Sequence, residues 1–262
     1  MIDLRGLLGL PISFNEKENE LIFDPPLDQN KIKVKSRKLE SMKNIWMDQP
    51  TYEGGDIYHM YFDVCLPEHR SLLIKNELSF CLILIPPLLV GKEFIKTVGH
   101  YHPPSPSTAE SYPEIYIPLY GTAHFILQKS TPPYEEVTDV VLVEAESGHP
   151  FIIPPNYGHI SINPFEKTLI FAAMLATNFK PNYQPFQKRK GAAYYEILED
   201  ETRELIPNKN YQDLPPLRKV RLKHQFPFPS FLEKPFYERF IENLEQFEFL
   251  KDPGKYQEKW LL

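Results

Sequence analysis

The chain has 262 residues, enough for one large domain or a domain with appendages. A formal net charge of -6, with no basic cluster interleaved with aromatics, argues against a nucleic-acid partner. Proline is the outlier: 27 residues is roughly twice the usual share of ~5%, which implies many rigid turns and edges and few long helices.

The N-terminal segment MIDLRGLLGLPISF is apolar for only a few residues before Asn15, too short for a signal peptide or a membrane span. No membrane partner is expected, and a cytoplasmic location is. Residues 1–56 hold weak strand candidates and the polar stretch KIKVKSRKLESMKN, which suits either a helical turn or an edge strand. They are read as an N-terminal β extension packing on the domain that follows.

From 57 to 200 the chain is a succession of short β-type runs. They span Ile57 to Val64, Ser79 to Ile85, Glu93 to Val98, Glu114 to Tyr120, Ala123 to Gln128, Val140 to Glu144, Phe151 to Ile153 and Thr168 to Leu175. Turn signals such as PPLLVGK, KSTPPYEE and ESGHP separate them, so an all-β core of sandwich or barrel type is expected. The only cysteines, Cys65 and Cys81, lie in apolar strand-like runs and read as buried reduced thiols.

Residues 201–262 are read as an extended arm followed by a helix. Scattered prolines disfavour regular structure in the arm, where Phe226, Phe228 and Phe231 need cover. Leu232, Phe236, Phe240, Leu244 and Phe247 recur at helical spacing, with Pro235 near the first turn and DPG at 252–254 as the stop. Such an aromatic stripe suits core or a dimer interface.

Chemistry concentrates in two segments. In Gly99-His100-Tyr101-His102, strand alternation aims both imidazoles at one point. Glu114 opens the strand EIYIPLYG, six residues before Gly121, and a later turn delivers His159 in PPNYGHISIN. His59, His124, His149 and His224 lack partner spacing and read as surface or satisfied core residues.

These segments resemble the two motifs of the cupin superfamily, HxH…E(x6)G and G(x5)P(x4)H(x3)N. His100, His102, Glu114 and Gly121 fill the first, and Gly148, Pro154, His159 and Asn163 the second. The resemblance implies a double-stranded β-helix, or jelly-roll barrel, holding one divalent metal ion. Two departures are the 11 residues between His102 and Glu114 and Asn156 at a position usually held by glycine. Glu110 is a rival ligand, but Glu114 alone keeps the spacing to Gly121. Three imidazoles and a carboxylate suit Fe(II), Mn(II), Ni(II), Co(II) or Zn(II) with positions left for substrate.

A narrower resemblance is to the archaeal cupin-type glucose-6-phosphate isomerases, carried by GKEFIKTVGHYH, by EIYIPLYG with the following Gln128, and by PPNYGHISIN. Weaker similarity runs from about residue 8 to about residue 200, through RKLESM and IYHMYFDV. It implies a homodimeric enzyme of glycolysis and gluconeogenesis interconverting glucose 6-phosphate and fructose 6-phosphate. Metal polarisation of the C1 and C2 oxygens would lower the cost of an enediolate. Glu114 would be the base, although a metal-bound carboxylate is a weakened one, and a hydride shift is the family's other route.

By the same resemblance Tyr116 would hydrogen-bond sugar hydroxyls, and Thr97 and Gly99 would bind phosphate. Alternation puts Thr97 opposite His100, so a bulge or a backbone contact is required. Ile83, Leu175 and Pro181 stand where the family's threonine, tyrosine and histidine are expected. Replacement donors could come from the insertion before Glu114 or the C-terminal arm, and Lys92, Lys96, Lys188, Arg189 and Lys190 are the available cations. The competing readings are another metal-dependent cupin enzyme, such as an oxygenase or a different sugar isomerase, and a non-catalytic sugar-binding cupin.

Overall fold

The structure is a computed structural model, and it describes residues 1–50, 55–222 and 234–257. The chain opens with a three-stranded antiparallel sheet, β1 (Ile2–Asp3), β2 (Ile12–Asn15) and β3 (Glu20–Phe23). Then come β4 (Lys33–Lys38), β5 (Asp56–Phe62), β6 (Leu78–Ile85) and the short pair β7 (Leu89–Val90) and β8 (Glu93–Phe94). The motif-bearing strands are β9 (Glu114–Tyr120), β10 (Thr122–Lys129), β11 (Asp139–Glu146), β12 (Phe151–Ile153), β13 (Tyr157–Ile162) and β14 (Leu169–Ala176). Last are β15 (Tyr194–Glu199), β16 (Thr202–Pro207) and β17 (Leu217–Arg221).

Two sheets face each other, one ordered β12-β9-β14-β6-β5-β4 and the other β13-β10-β11-β17. Period-two alternation explains the barrel they enclose. In β10, Ala123, Phe125 and Leu127 point inward to meet Ile83, Phe171 and Ala173 of the opposite sheet, while Ile126 points outward. This is the expected all-β jelly roll.

Each sheet also buries its outer face. Phe80, Leu82 and Ile117 pack beneath the N-terminal sheet together with Phe236, Phe240 and Phe247 from the end of the chain. Ile126, Val140 and Ile160 are covered by Phe186, Ala193 and Tyr211. Phe236, Phe240 and Phe247 of the aromatic stripe therefore fill core. The stripe is also not one helix: Phe236–Glu242 is helical, Asn243 breaks the run at φ -131°, and Leu244–Leu250 continues as 3-10. Leu232, Phe226, Phe228, Phe231 and His224 lie outside the described residues.

The flanks are more regular than composition implies. KIKVKSRKLESMKN supplies both readings: Lys33–Lys38 is the edge strand β4, and Leu39–Ile45 is 3-10. The proline-rich arm, where regular structure was disfavoured, contributes β16, paired with β15, and β17, which adds to β11 in parallel. Proline is tolerated because Pro207 closes β16 and Pro216 precedes β17, where no ladder N–H is needed. Pairing thus crosses residues 56 and 200, the two points at which the sequence was divided.

Arg218 of β17 grips Asp139 of β11 at 2.7 Å, and Tyr157 donates to the same carboxylate at 2.7 Å. The Arg218 hydrogen bond holds the Asp139 carboxyl below its usual range. A depressed carboxylate pKa contributes stability above the unfolded value near 4, lost as pH falls through the folded value. Arg218→Ala should therefore lower the melting temperature at pH 7 and have no effect near pH 2. With Arg218 nearly half exposed the loss is under ~1 kcal/mol, and equal losses at both pH values would refute the assignment.

Candidate metal centre

The segment carrying His100 and His102 is not the regular strand that alternation requires. β8 ends at Phe94, and the chain continues through isolated bridges, Lys96 to Ile162 and His100 to His159. Gly99 causes the break, because its φ of +73° lies in the left-handed region. The resulting shift of phase lets Thr97, Gly99 and His100 line one cavity, which strict alternation forbids.

A Cβ at residue 99 would also come within 2.7 Å of the Phe186 ring. Gly99→Ala should cost about 1–3 kcal/mol in stability and displace His100, read together as a lower melting temperature and weaker metal binding. An unchanged melting temperature would show that the position is not strained.

His100 and His159 exchange both backbone hydrogen bonds, at 3.2 and 3.0 Å, so their side chains leave on the same face. Glu114 opens β9 opposite Ile153, on the strand neighbouring β14. The four side chains converge: His100, His102, Glu114 and His159 each offer one ligand atom, all within 4.8 Å of one another. Glu114 Oε2 lies 3.4 Å from His102 Nε2 and 3.3 Å from His159 Nε2.

Glu110 is held elsewhere. Its carboxylate accepts from the side chain of Asn156, while Ser111 and Asn156 bond each other reciprocally at 2.6 and 3.1 Å. The inserted residues thus close into a loop, tied by Ser105 N–H to the Glu110 carbonyl at 2.8 Å. Asn156 fills a glycine position because its φ is +69°, which asparagine tolerates.

The donor set fits a divalent cation. Burial lowers the pKa of His102 and of His159 to about 4 and pushes His100 well down too, so the imidazoles are neutral. The Nδ1 of His102 donates to the Tyr112 carbonyl at 2.7 Å, leaving the Nε2 lone pair facing Glu114. Glu114 Oε2 and both His159 ring nitrogens are buried without hydrogen-bond partners, a cost that a shared cation would offset. Burial raises Glu114 to about 7, the response of a carboxylate packed among neutral groups.

Above this cluster lies a cavity of about 110 Å³. Its wall includes Tyr116, Thr97, Gly99, Tyr58 and Tyr183, and also Ile83, Leu175 and Pro181. Thr97 Oγ1 accepts from Ser161 N–H at 3.0 Å, so its own proton remains available to an incoming anion. Tyr116 packs 4.9 Å from Phe171 and stays protonated, because burial drives its pKa up.

Several expected cations do not reach the cavity. Lys96 pairs with Glu93 between Trp46 and Tyr195, Lys92 pairs with Glu199 at 2.6 Å, and Arg189 bonds carbonyls of Asn210 and Glu135. Lys188 and Arg189 line a separate surface hollow with Asn182. Gln128 faces outward, bonding Tyr101 at 2.7 Å and Tyr211 at 3.2 Å.

Of the unassigned histidines, His124 pairs with Glu196 at 2.8 Å and His59 with Ser36 at 2.8 Å. Both cysteines are buried and free. Sequence reasoning missed Tyr58, Cys81, Tyr183 and Phe179, which lies 4.4 Å from His102. Alternation of Tyr58, Met60 and Phe62 was a usable signal, whereas Phe179 and Tyr183 lie between named elements and gave none.

A family model described as glucose-6-phosphate isomerase (GPI) matches residues 27–215. The chain belongs to that family. A glucose-6-phosphate isomerase of Thermococcus litoralis is 26% identical over 197 residues, covering 73% of this chain and 93% of the relative. One from Thermococcus gammatolerans is 29% identical over 180 residues, covering 67% and 86%. The family match thus spans β4 to β16 and all four residues of the His/Glu cluster, and leaves the C-terminal helix outside. Among the described residues no helix is long and apolar enough to cross a membrane.

Proposed function

We propose that the chain is a metal-dependent aldose-ketose isomerase interconverting glucose 6-phosphate and fructose 6-phosphate. The observation that carries the reading is the set of buried, partnerless ligand atoms of Glu114 and His159, in a cluster whose His100 and Glu114 line a cavity, in a chain of this family. His100, His102, Glu114 and His159 hold one divalent ion, with iron, manganese, nickel, cobalt and zinc all chemically suited. When bound, the ion polarises the sugar's C1 and C2 oxygens.

The chain's own groups do the rest. The Glu114 carboxylate takes and returns the proton that moves between C2 and C1. Tyr116, two residues on and facing the same cavity, donates its hydroxyl to the sugar. Thr97 and the backbone at Gly99 receive the phosphate end. Apolar Ile83, Leu175 and Phe171 keep bulk water from the reacting carbons.

A coupled assay of fructose 6-phosphate to glucose 6-phosphate on metal-loaded protein tests this, with Glu114→Ala as control. Turnover with one or more of the five metals, lost in the variant, is expected; none with any of them would rule the reading out. In deuterated water, proton transfer through Glu114 introduces deuterium into product sugar. Complete retention of the original hydrogen would assign a hydride shift and remove Glu114 from proton handling. The homodimer rests on family resemblance alone, since Phe236, Phe240 and Phe247 of the aromatic stripe are buried, and light scattering at a monomer mass would end it.

A further inference from the structure

The cavity has few donors for a phosphate dianion, because Ile83, Leu175 and Pro181 make that part of its wall apolar. Cationic side chains stand beside it on the N-terminal strand β4. In the antiparallel register Lys33 opposes Phe62, Lys35 opposes Met60 and Arg37 opposes Tyr58. Directly opposed residues project to the same face. Tyr58, Met60 and Phe62 all line the cavity, so the stripe Lys33, Lys35, Arg37 extends its wall outward.

Lys33 is engaged with Asp63 at 2.9 Å. Lys35 and Arg37 have no carboxylate partner among the described residues, and Arg37 Nε is buried without any hydrogen-bond partner. The Arg37 guanidinium lies 5.4 Å from the centre of the Tyr183 ring and interacts with the Tyr58 hydroxyl. Tyr58, Tyr183 and His100 all face the cavity. A half-buried guanidinium with an orphan N–H and no counter-charge is costly unless an anion completes it, and its planar fork suits phosphate oxygens.

We infer that Arg37, with Lys35 beside it, receives the phosphoryl group of the substrate. The substrate's identity rests on the isomerase reading, whereas the anion site stands on geometry. The family match begins at residue 27, so β4 lies within the matched range.

The test compares metal-loaded wild type with Arg37→Met, Arg37→Lys and Lys35→Met. Arg37→Met should raise KM for fructose 6-phosphate by about 10- to 100-fold, the loss of one or two charge-assisted bonds, and leave kcat within roughly threefold. Inhibition by inorganic phosphate should weaken by a similar factor, Arg37→Lys should recover part of it, and bound metal should not change. Lys35→Met, at an exposed position, carries the same KM-against-kcat comparison if Arg37→Met does not fold. Unchanged KM and phosphate inhibition in the folded variants would overturn the assignment. If wild type turns over no phosphosugar, direct titration of inorganic phosphate decides: Arg37-dependent binding upholds the anion site while retiring the isomerase reading, and Arg37-independent binding removes both.

Discussion

Replacing His159 by alanine is expected to release the bound ion and to lower kcat/KM for fructose 6-phosphate by at least about 10²- to 10³-fold. That is the penalty typical of removing a principal electrostatic stabiliser from an active site. His159 Nε2 lies 3.3 Å from Glu114 Oε2, and its backbone pairs with His100, so it bridges the two motif halves. The backbone pairing does not need the imidazole, so the fold should survive. Elemental analysis and kinetics on the same sample check this: a full complement of metal with wild-type turnover would show that His159 is not a ligand.

Lys96→Met should cost about 3–5 kcal/mol, because it strands the Glu93 carboxylate in the core. Lys96 is only 2% exposed, its ammonium lies 4.9 Å from the ring centres of both Trp46 and Tyr195, and Glu93 also accepts the Met47 N–H at 2.9 Å. Burial raises the Glu93 pKa and lowers that of Lys96, which is the desolvation each charge suffers without the other. For a domain this size the melting temperature should fall by roughly 6–20 °C. Adding Glu93→Gln should recover much of the loss. Failure of the double variant to improve on the single one would mean that Lys96 acts by packing rather than by charge.

The barrel was legible because its strands obey period-two burial: β9 and β12 coincide with the runs read from Glu114 to Tyr120 and from Phe151 to Ile153. The convergence of His100, His102, Glu114 and His159 was legible because motif spacing survives even where local geometry departs from a strand. What alternation could not show is the turn at Gly99, where a left-handed residue rotates Thr97 onto the same side as His100. A positive φ at one glycine leaves no periodic trace.

The flanks were harder for a different reason. Pro215 and Pro216 read as breakers, yet they only delimit β17, an edge strand held by its neighbour β11 and by the Arg218–Asp139 pair. The basic residues of KIKVKSRK read only as a polar stretch suited to a helical turn or an edge strand; the β4–β5 register shows which of them stand beside Tyr58 and Met60. Similarly, Lys96 lies within GKEFIKTVGHYH and is directed away from the cavity toward Trp46, which sequence spacing cannot reveal.

The most direct measurement is an activity titration of chelator-stripped protein with each candidate metal. Turnover of fructose 6-phosphate should be absent from the stripped protein, rise linearly on addition of the active ion, and break at one equivalent per chain. The same titration should stay flat for Glu114→Ala. Full turnover in the stripped protein, or a rise unaffected by loss of Glu114, would contradict a catalytic ion held by His100, His102, Glu114 and His159.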